Sequence, residues 1–190
     1  YEMLSSGLRE VKNPNEIFLT LNSSKMSGHA IGMSMEGIRP ITLEVQALVS
    51  TAVYGTPQRS STGFNSKRLN MLLAVLEKRA GIQLSNKDVF LNITGGVKSE
   101  DPSLDLAIVS AILSSYHDTP LNEKICFASE IGLSGELRPV LKLDKRISEA
   151  EKLGYQLFVT SNFKKDLTEK KGIKILGLEK IGSLIANLFK

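Results

Sequence analysis

The sequence predicts a mixed α/β fold, with helices covering one or both faces of a sheet. Three observations carry that prediction. Apolar residues alternate at Leu43, Val45 and Ala47, then Val49 and Ala52, which is the period of a strand. Leu69, Leu72, Leu73 and Leu76 recur at the helical period between Ser66 and Arg79. The whole chain then reads as strands, helix, strand, buried helix, hairpin, helix, strand, strand, helix, an order that layers helices on a sheet.

Taken in order, the stretch to about Ser27 is polar and punctuated, with no internal repeat or low-complexity tract anywhere. Within it Asn13-Pro14-Asn15-Glu16 is a helix-start signature. Asn13 is the N-cap, Pro14 the first helical residue and Glu16 the reciprocal partner, with Ile17, Phe18 and Leu19 anchoring a short turn. Residues 1–26 are read as a lead-in and residues 27–190 as the domain. Strands are expected over His29 to Met35 and Ile41 to Val53, about a turn near Gly37-Ile38-Arg39-Pro40. Gly55-Thr56-Pro57 ends the second, and a polar loop runs to Asn65.

The Ser66–Arg79 helix carries Lys67 and Lys78 eleven residues apart, about three turns, so they share one direction opposite the leucine stripe. Arg68 and Arg79 stack at the flank, and Met71 and Val75 are apolar residues near the outer face, available to an oligomer interface. Val89 to Ile93 is a short strand ending at Thr94-Gly95-Gly96. Asp101 caps the next helix with Pro102 at its first position, and Leu104 to Leu113 is apolar almost all round, as in a buried helix. Ile125 to Leu133 and Glu136 to Val140 form a hairpin about Ser134-Gly135. A helix from Leu143 to Leu153, a strand at Gln156 to Thr160, a small strand near Ile173 to Leu176, and a helix with Ile181, Leu184, Ile185 and Leu188 on one face complete the chain.

Composition narrows the function classes. The 190 residues, 42% hydrophobic and 23% charged, suit a folded domain whose core needs no staples. Cys126 is the single cysteine, which excludes an internal disulfide and a thiolate metal cluster within the chain and fits a reducing compartment. No apolar run is long enough to span a bilayer. The first residues lack a signal-peptide layout and an initiator Met, so a fragment of a longer protein is expected. The net charge of +4 is mildly basic and by itself weak grounds for a nucleic-acid partner.

Several segments, in one order, carry a resemblance. They are Gly55-Thr56-Pro57-Gln58-Arg59, the Leu69–Gly81 run ending Leu-Glu-Lys-Arg-Ala-Gly, Gly95-Gly96-Val97-Lys98, Asp101-Pro102-Ser103-Leu104-Asp105-Leu106-Ala107, and Gly132 to Val140. They resemble the C-terminal domain of the bacterial RadA (Sms) family of DNA repair proteins, and Gly7-Leu8-Arg9-Glu10-Val11 with the Asn13–Leu19 stretch resembles the join between that family's ATPase core and this domain, which makes residues 1–26 the entry segment from an absent upstream core. The resemblance implies a Lon-protease-like fold related to the second domain of ribosomal protein S5. It also implies a hexameric ring, a cytoplasmic bacterial setting, single-stranded or branched DNA and a recombinase as partners, and a role in recombination as part of an ATP-driven branch-migration motor. ATP, Mg and Zn belong to that family's upstream ATPase core and zinc finger. No Gly-x-x-x-x-Gly-Lys-Ser/Thr loop and no four-cysteine set occur here, so no cofactor is expected in this chain.

The resemblance also defines sites. In Lon-type proteases a Pro-Ser pair opens a helix and holds the nucleophile, which maps to Pro102-Ser103. The matching base is a lysine, and aligning Pro139 without gaps puts Asp144 there. A carboxylate of pKa about 4 is a poor base for a hydroxyl. Lys145 is rotated by about 100° from that position, which leaves Lys142 as the only substitute. The favoured expectation is a degenerate site, Ser103 being a helix-start residue that satisfies backbone donors. The rival is a divergent Ser–Lys peptidase using Ser103 and Lys142. Asp105, in an apolar helix, either pairs with a basic residue, within the chain or across a subunit boundary, or sits partly exposed complementing the helix dipole. Arg59, Lys67, Arg68, Lys78, Arg79 and Lys98 are either a solvated surface or, on the resemblance, a phosphate-contacting set without base stacking. Gln58 stands where the family has a second arginine. A third possibility is an assembly module that never meets DNA. His29 and His117 are expected to be ordinary surface or strand-edge histidines, and Gly95-Gly96 a tight turn.

Overall fold

A seven-stranded sheet frames the domain, in the spatial order Lys174–Leu178, Leu157–Ser161, Ile125–Ala128, His29–Glu36, Arg39–Thr51, Lys87–Ile93, Arg59–Thr62. The computed structural model describes residues 2–4, 7–9, 26–53, 55–162 and 172–189. The expected Asn13–Leu19 helix start lies outside these residues. Two short strands, β1 (Glu2–Leu4) and β2 (Gly7–Arg9), pair antiparallel with each other.

The main sheet begins with β3 (His29–Glu36) and β4 (Arg39–Thr51), joined by the expected tight turn at Gly37-Ile38. Then come β5 (Arg59–Thr62), helix α1 (Ser66–Ala80) and β6 (Lys87–Ile93). Helix α2 (Asp105–Tyr116) leads to β7 (Ile125–Ala128), and helix α3 (Leu143–Lys152) leads to β10 (Leu157–Ser161). β11 (Lys174–Leu178) and helix α4 (Ile181–Leu188) follow. β4 is the strand that runs against its neighbours. The β3–β7, β7–β10, β10–β11 and β5–β6 pairs are all parallel. The expected α/β class is thus observed.

Burial follows the predicted periods. Along β3, Ala30 packs with α1 and α2, whereas Ile31 and Met33 point to the opposite face, where Ile147 and Ala150 of α3 meet Cys126, Ala128, Tyr155 and Phe158. Gly32 lets α2 approach, because a Cβ there would stand 2.5 Å from a Leu104 methyl. Asn65 caps α1 by accepting from the backbone N–H groups of Lys67 (2.9 Å) and Arg68 (3.2 Å), and Gly81 ends it in a left-handed conformation (φ 71°). Leu69, Leu72, Leu73 and Leu76 are buried as expected. So is Val75, at 3% exposure, which removes it from the outer apolar surface expected from the helix pattern; Met71 is half-buried against the core.

Two further expectations are corrected. The polar loop before Asn65 contains β5, held at the sheet edge by parallel pairing to β6. The long hairpin is broken at Ser129. β7 stays in the main sheet, and a separate two-stranded ladder forms from β8 (Glu130–Ile131) and β9 (Leu137–Arg138). The break has a polar cause. Ser129 Oγ donates to the Arg138 carbonyl (2.8 Å), and the Ile131 N–H turns to Asp105 (3.0 Å) instead of continuing the β7 ladder. Between β9 and α3 the chain does not run straight on, because Lys142 takes a left-handed backbone conformation (φ 57°) at the helix start.

Candidate functional site

The Pro102–Leu104 segment is a 3₁₀ turn leading into α2, and it lies beside the end of β3. Asp101 caps the turn, its Oδ1 accepting the Ser103 N–H (3.0 Å). β3 pairs with β7 only at Ile31 and Gly32, so the next backbone groups on that edge need other partners. Side chains supply them. Asp101 Oδ2 accepts the Met35 N–H (2.9 Å), and the Met33 carbonyl accepts from Ser103 Oγ (3.1 Å) and from Arg146 Nη1 (2.6 Å). Arg146, on α3, thereby completes an edge that β7 leaves unfinished.

Arg146 is 2% exposed, and each of its nitrogens is engaged. Nε donates to the Leu141 carbonyl (3.0 Å), Nη2 to Asp101 Oδ2 (2.8 Å), and Nη1 to Ser103 Oγ (2.8 Å) as well as to Met33. Ser103 is fully buried. Its hydroxyl proton points to a carbonyl and its lone pair to a guanidinium. A guanidinium does not deprotonate in a protein, so it cannot take a proton from serine. Burial raises the Asp101 pKa, but the Ser103 N–H and the Arg146 charge outweigh that, and the carboxyl lies below the usual aspartate range.

Asp144, the position expected in place of the protease lysine, is exposed on α3, as is Lys145. Lys142 is exposed too, and its Nζ reaches the Gly37 carbonyl (3.4 Å) at the rim of the domain. The cation that contacts Ser103 is therefore Arg146, two residues past Asp144. Arg146 is not among the site residues expected from the sequence. The signal that could have found it is an arginine among the apolar positions Ile147 and Ala150 of an otherwise charged helix.

Above this floor opens a cavity of about 620 Å³. Its walls include Ile41, Val97, Pro102, Pro139 and Val140, and Lys98 and Lys142 stand among the residues that line it.

Asp105 is fully buried at the start of α2 and meets Arg68 of α1 in a two-pronged ion pair, with Nε–Oδ1 at 2.7 Å and Nη2 bonded to Oδ2. Burial pushes the Asp105 carboxyl up, while Arg68 and the Ile131 N–H act against that shift. Of the two expectations for Asp105, pairing holds and partial exposure does not, and the partner lies in the same chain. Arg68 is thus paired within the chain, with 29% of its side chain exposed. Arg59, Lys67, Lys78, Arg79 and Lys98 are all exposed. Lys67 and Lys78 lie on the solvent side of α1, and Lys98 lies at the cavity.

His29 is half-buried and bonds Glu44 (Nδ1–Oε1 2.8 Å), a carboxylate neighbour that spacing did not reveal. His117 is exposed. Gly95 and Gly96 both have positive φ in a short 3₁₀ turn, as a tight turn requires. Among the described residues no group of three His, Cys, Asp or Glu side chains could hold a metal ion, and no helix is long and apolar enough to cross a membrane.

Residues 41–163, which include most of β4 and run through β10, match the sequence profile of the family described as subunit ChlI of Mg-chelatase. The chain belongs to that family. It is 45% identical over 97% of its length to the DNA repair protein RadA of Bacillus subtilis, and 43% identical over its whole length to the DNA repair protein RadA of Streptococcus pneumoniae. The RadA of Listeria monocytogenes matches at 40% over 97%. The chain covers 41%, 45% and 41% of these proteins respectively, less than half of each. The likeness to RadA expected from the sequence is borne out.

Proposed function

We propose that the chain serves a RadA-type DNA repair protein as a Lon-like scaffold domain that no longer cleaves peptides. One observation carries this reading: Ser103 is buried with its hydroxyl held between the Met33 carbonyl and the Arg146 guanidinium, and among the described residues no lysine amine is hydrogen-bonded to it. Acyl transfer needs a base that accepts the serine proton and an open approach to the oxygen, and this arrangement supplies neither. The near-complete coverage of the chain by DNA repair proteins supports the repair reading over the chelatase description, which covers residues 41–163.

In this reading the domain assembles as a hexameric ring in the bacterial cytoplasm. DNA, single-stranded or branched, passes against Arg59, Lys67, Lys78, Arg79 and Lys98, whose ammonium and guanidinium groups contact phosphates rather than bases. ATP-driven branch migration, with the Mg and Zn that accompany it, belongs to other parts of such a protein, as does the meeting with a recombinase. The decisive experiment treats the chain with a fluorophosphonate probe and, separately, titrates it with single-stranded and branched DNA at several salt concentrations. Absence of labelling together with salt-sensitive DNA binding is expected. Labelling of Ser103, with peptide cleavage lost in Ser103→Ala, would establish the Ser–Lys peptidase instead. No DNA binding at low salt by the assembled chain would leave an assembly module.

A further inference from the structure

The two faces of the main sheet are covered unequally. On one face α1 and α2 bury Ala47, Val89 and Leu91. On the other, α3 packs over β3, β7 and β10, and no residue of β5 or β6 joins that cluster. Leu48 and Phe90 are paired directly across β4 and β6, and they point to this second face because their strand neighbours point into the core. Leu48 is 58% exposed and Phe90 37%. Among the described residues Phe90 is the one exposed phenylalanine.

The surroundings of the pair select its occupant. The apolar patch is only two side chains wide, too small for the centre of a protein interface. Ser60 of β5 pairs with Phe90, and Thr62 pairs with Asn92, all with exposed polar groups beside the ring. Gln46 is held on both sides, its Nε2 donating to Glu44 (2.9 Å) and its Oε1 accepting from Asn92 Nδ2 (3.4 Å). Asn92 keeps a second N–H and its carbonyl oxygen for the edge of a base. Asp88, the carboxylate next along this side of β6, is turned to the Gln58 N–H (2.7 Å). Arg59, at the outer rim, is exposed and makes no ion pair among the described residues. It is far from Phe90 along the chain, yet the parallel β5–β6 pairing sets it within one residue of the Phe90 register. A ring on an open sheet with a cation at its rim holds a single strand, the base on the ring and the phosphate on the cation.

We propose that Phe90, with Leu48 beside it, stacks a base of single-stranded DNA on the open sheet face, while Arg59 holds an adjoining phosphate and the Asn92 amide meets the base edge. This contact rests on the DNA reading above and adds a base to the phosphates. The chain has no tryptophan, so Phe90→Trp places a single reporter on the face. It is titrated at low salt with an oligothymidylate and with an abasic strand of equal length, binding of each being followed separately by the anisotropy of a dye on the strand. Both strands are expected to bind, since both carry phosphates, and only the oligothymidylate should quench the tryptophan. Phe90→Ala, shown to be folded by circular dichroism, should bind the oligothymidylate at least about tenfold more weakly with an unchanged dependence on salt, whereas Phe90→Tyr should keep its affinity. Emission that ignores a bound oligothymidylate, equal quenching by both strands, or full affinity in Phe90→Ala overturns the proposal and leaves DNA held by the basic residues alone. Emission that shifts with protein concentration and not with DNA also overturns it, and gives the face to a second copy of the chain. An unmodified chain that binds neither strand overturns the DNA reading as well.

Discussion

Arg146 Nη1 lies 2.8 Å from Ser103 Oγ, and the same nitrogen lies 2.6 Å from the Met33 carbonyl that accepts the serine proton. One cation thus holds both the hydroxyl and its acceptor. Removing it leaves the half-buried Asp101 carboxylate without its counter-charge and takes one partner each from the Ser103 hydroxyl and the Met33 carbonyl. Arg146→Met is expected to cost about 3–5 kcal/mol of stability, read as a lower urea midpoint at unchanged slope. Ser103→Ala removes a neutral partner only and should cost about 1 kcal/mol. Equal losses for the two would show that the guanidinium is not the keystone.

Asp101 gives a pH signature with a definite sign. Its folded pKa is lowered, so the stability it contributes is complete above the unfolded aspartate value, 3.8, and is lost as pH falls through the lower folded value. Asp105 acts in the opposite sense, because its folded pKa is raised, and the stability tied to its protonated form is lost as pH rises through that value. In Asp101→Asn the stability deficit should therefore be full at neutral pH and shrink in acid below the usual aspartate range. Denaturant titrations at several pH values test this, and a deficit independent of pH would contradict it.

The Arg68–Asp105 pair joins α1 to α2 and, through the Ile131 N–H, to β8. A double-mutant cycle over Arg68→Ala and Asp105→Ala should return a coupling energy of about 1–3 kcal/mol. Asp105→Ala should also be the more damaging single change, because it strands the Ile131 N–H as well as the guanidinium. Additive losses would mean that the two side chains act independently.

How much of this was legible in the sequence depends on distance along the chain. The leucine stripe of α1, the caps at Asp101 and Gly135's turn, and the apolar run of α2 are local patterns, and they appear where expected. β5 was missed because Arg59–Thr62 is short, polar and held only by its edge pairing to β6. The break at Ser129 was missed because nothing local marks it, since its causes lie at Arg138 and Asp105. Asp105 stood out as a carboxylate among apolar residues, but its partner is 37 positions away. Arg146 lies 43 positions from Ser103, and no local pattern connects the two.

Cys126 is fully buried in β7, and burial pushes its thiol pKa far up, so the reactive thiolate is scarce. A thiol-specific disulfide reagent should leave the folded chain unmodified and react at once in denaturant. Its rate under native conditions should follow global opening, falling as stability rises and increasing in Arg146→Met. Rapid labelling of the unmodified folded chain would contradict the burial.

Lys67 and Lys78 test the phosphate-contact reading. Replacing both by Ala touches no hydrogen bond or ion pair made by either side chain among the described residues, so stability should change by no more than about 0.5 kcal/mol. DNA affinity should fall, and the slope of log affinity against log salt should decrease by about 0.7 for each lost contact with single strands. An unchanged slope would place the DNA elsewhere.

The cluster around Arg146 has a consequence for how the chain folds. It gathers residues 33, 101, 103, 141 and 146, so that groups separated by as many as 113 positions converge on one ion. No segment can settle there alone, since the first strand of the sheet, the turn before α2 and the third helix must arrive together. The native placement of these segments is thereby coupled, because a chain that puts any one of them out of register leaves the buried guanidinium short of partners.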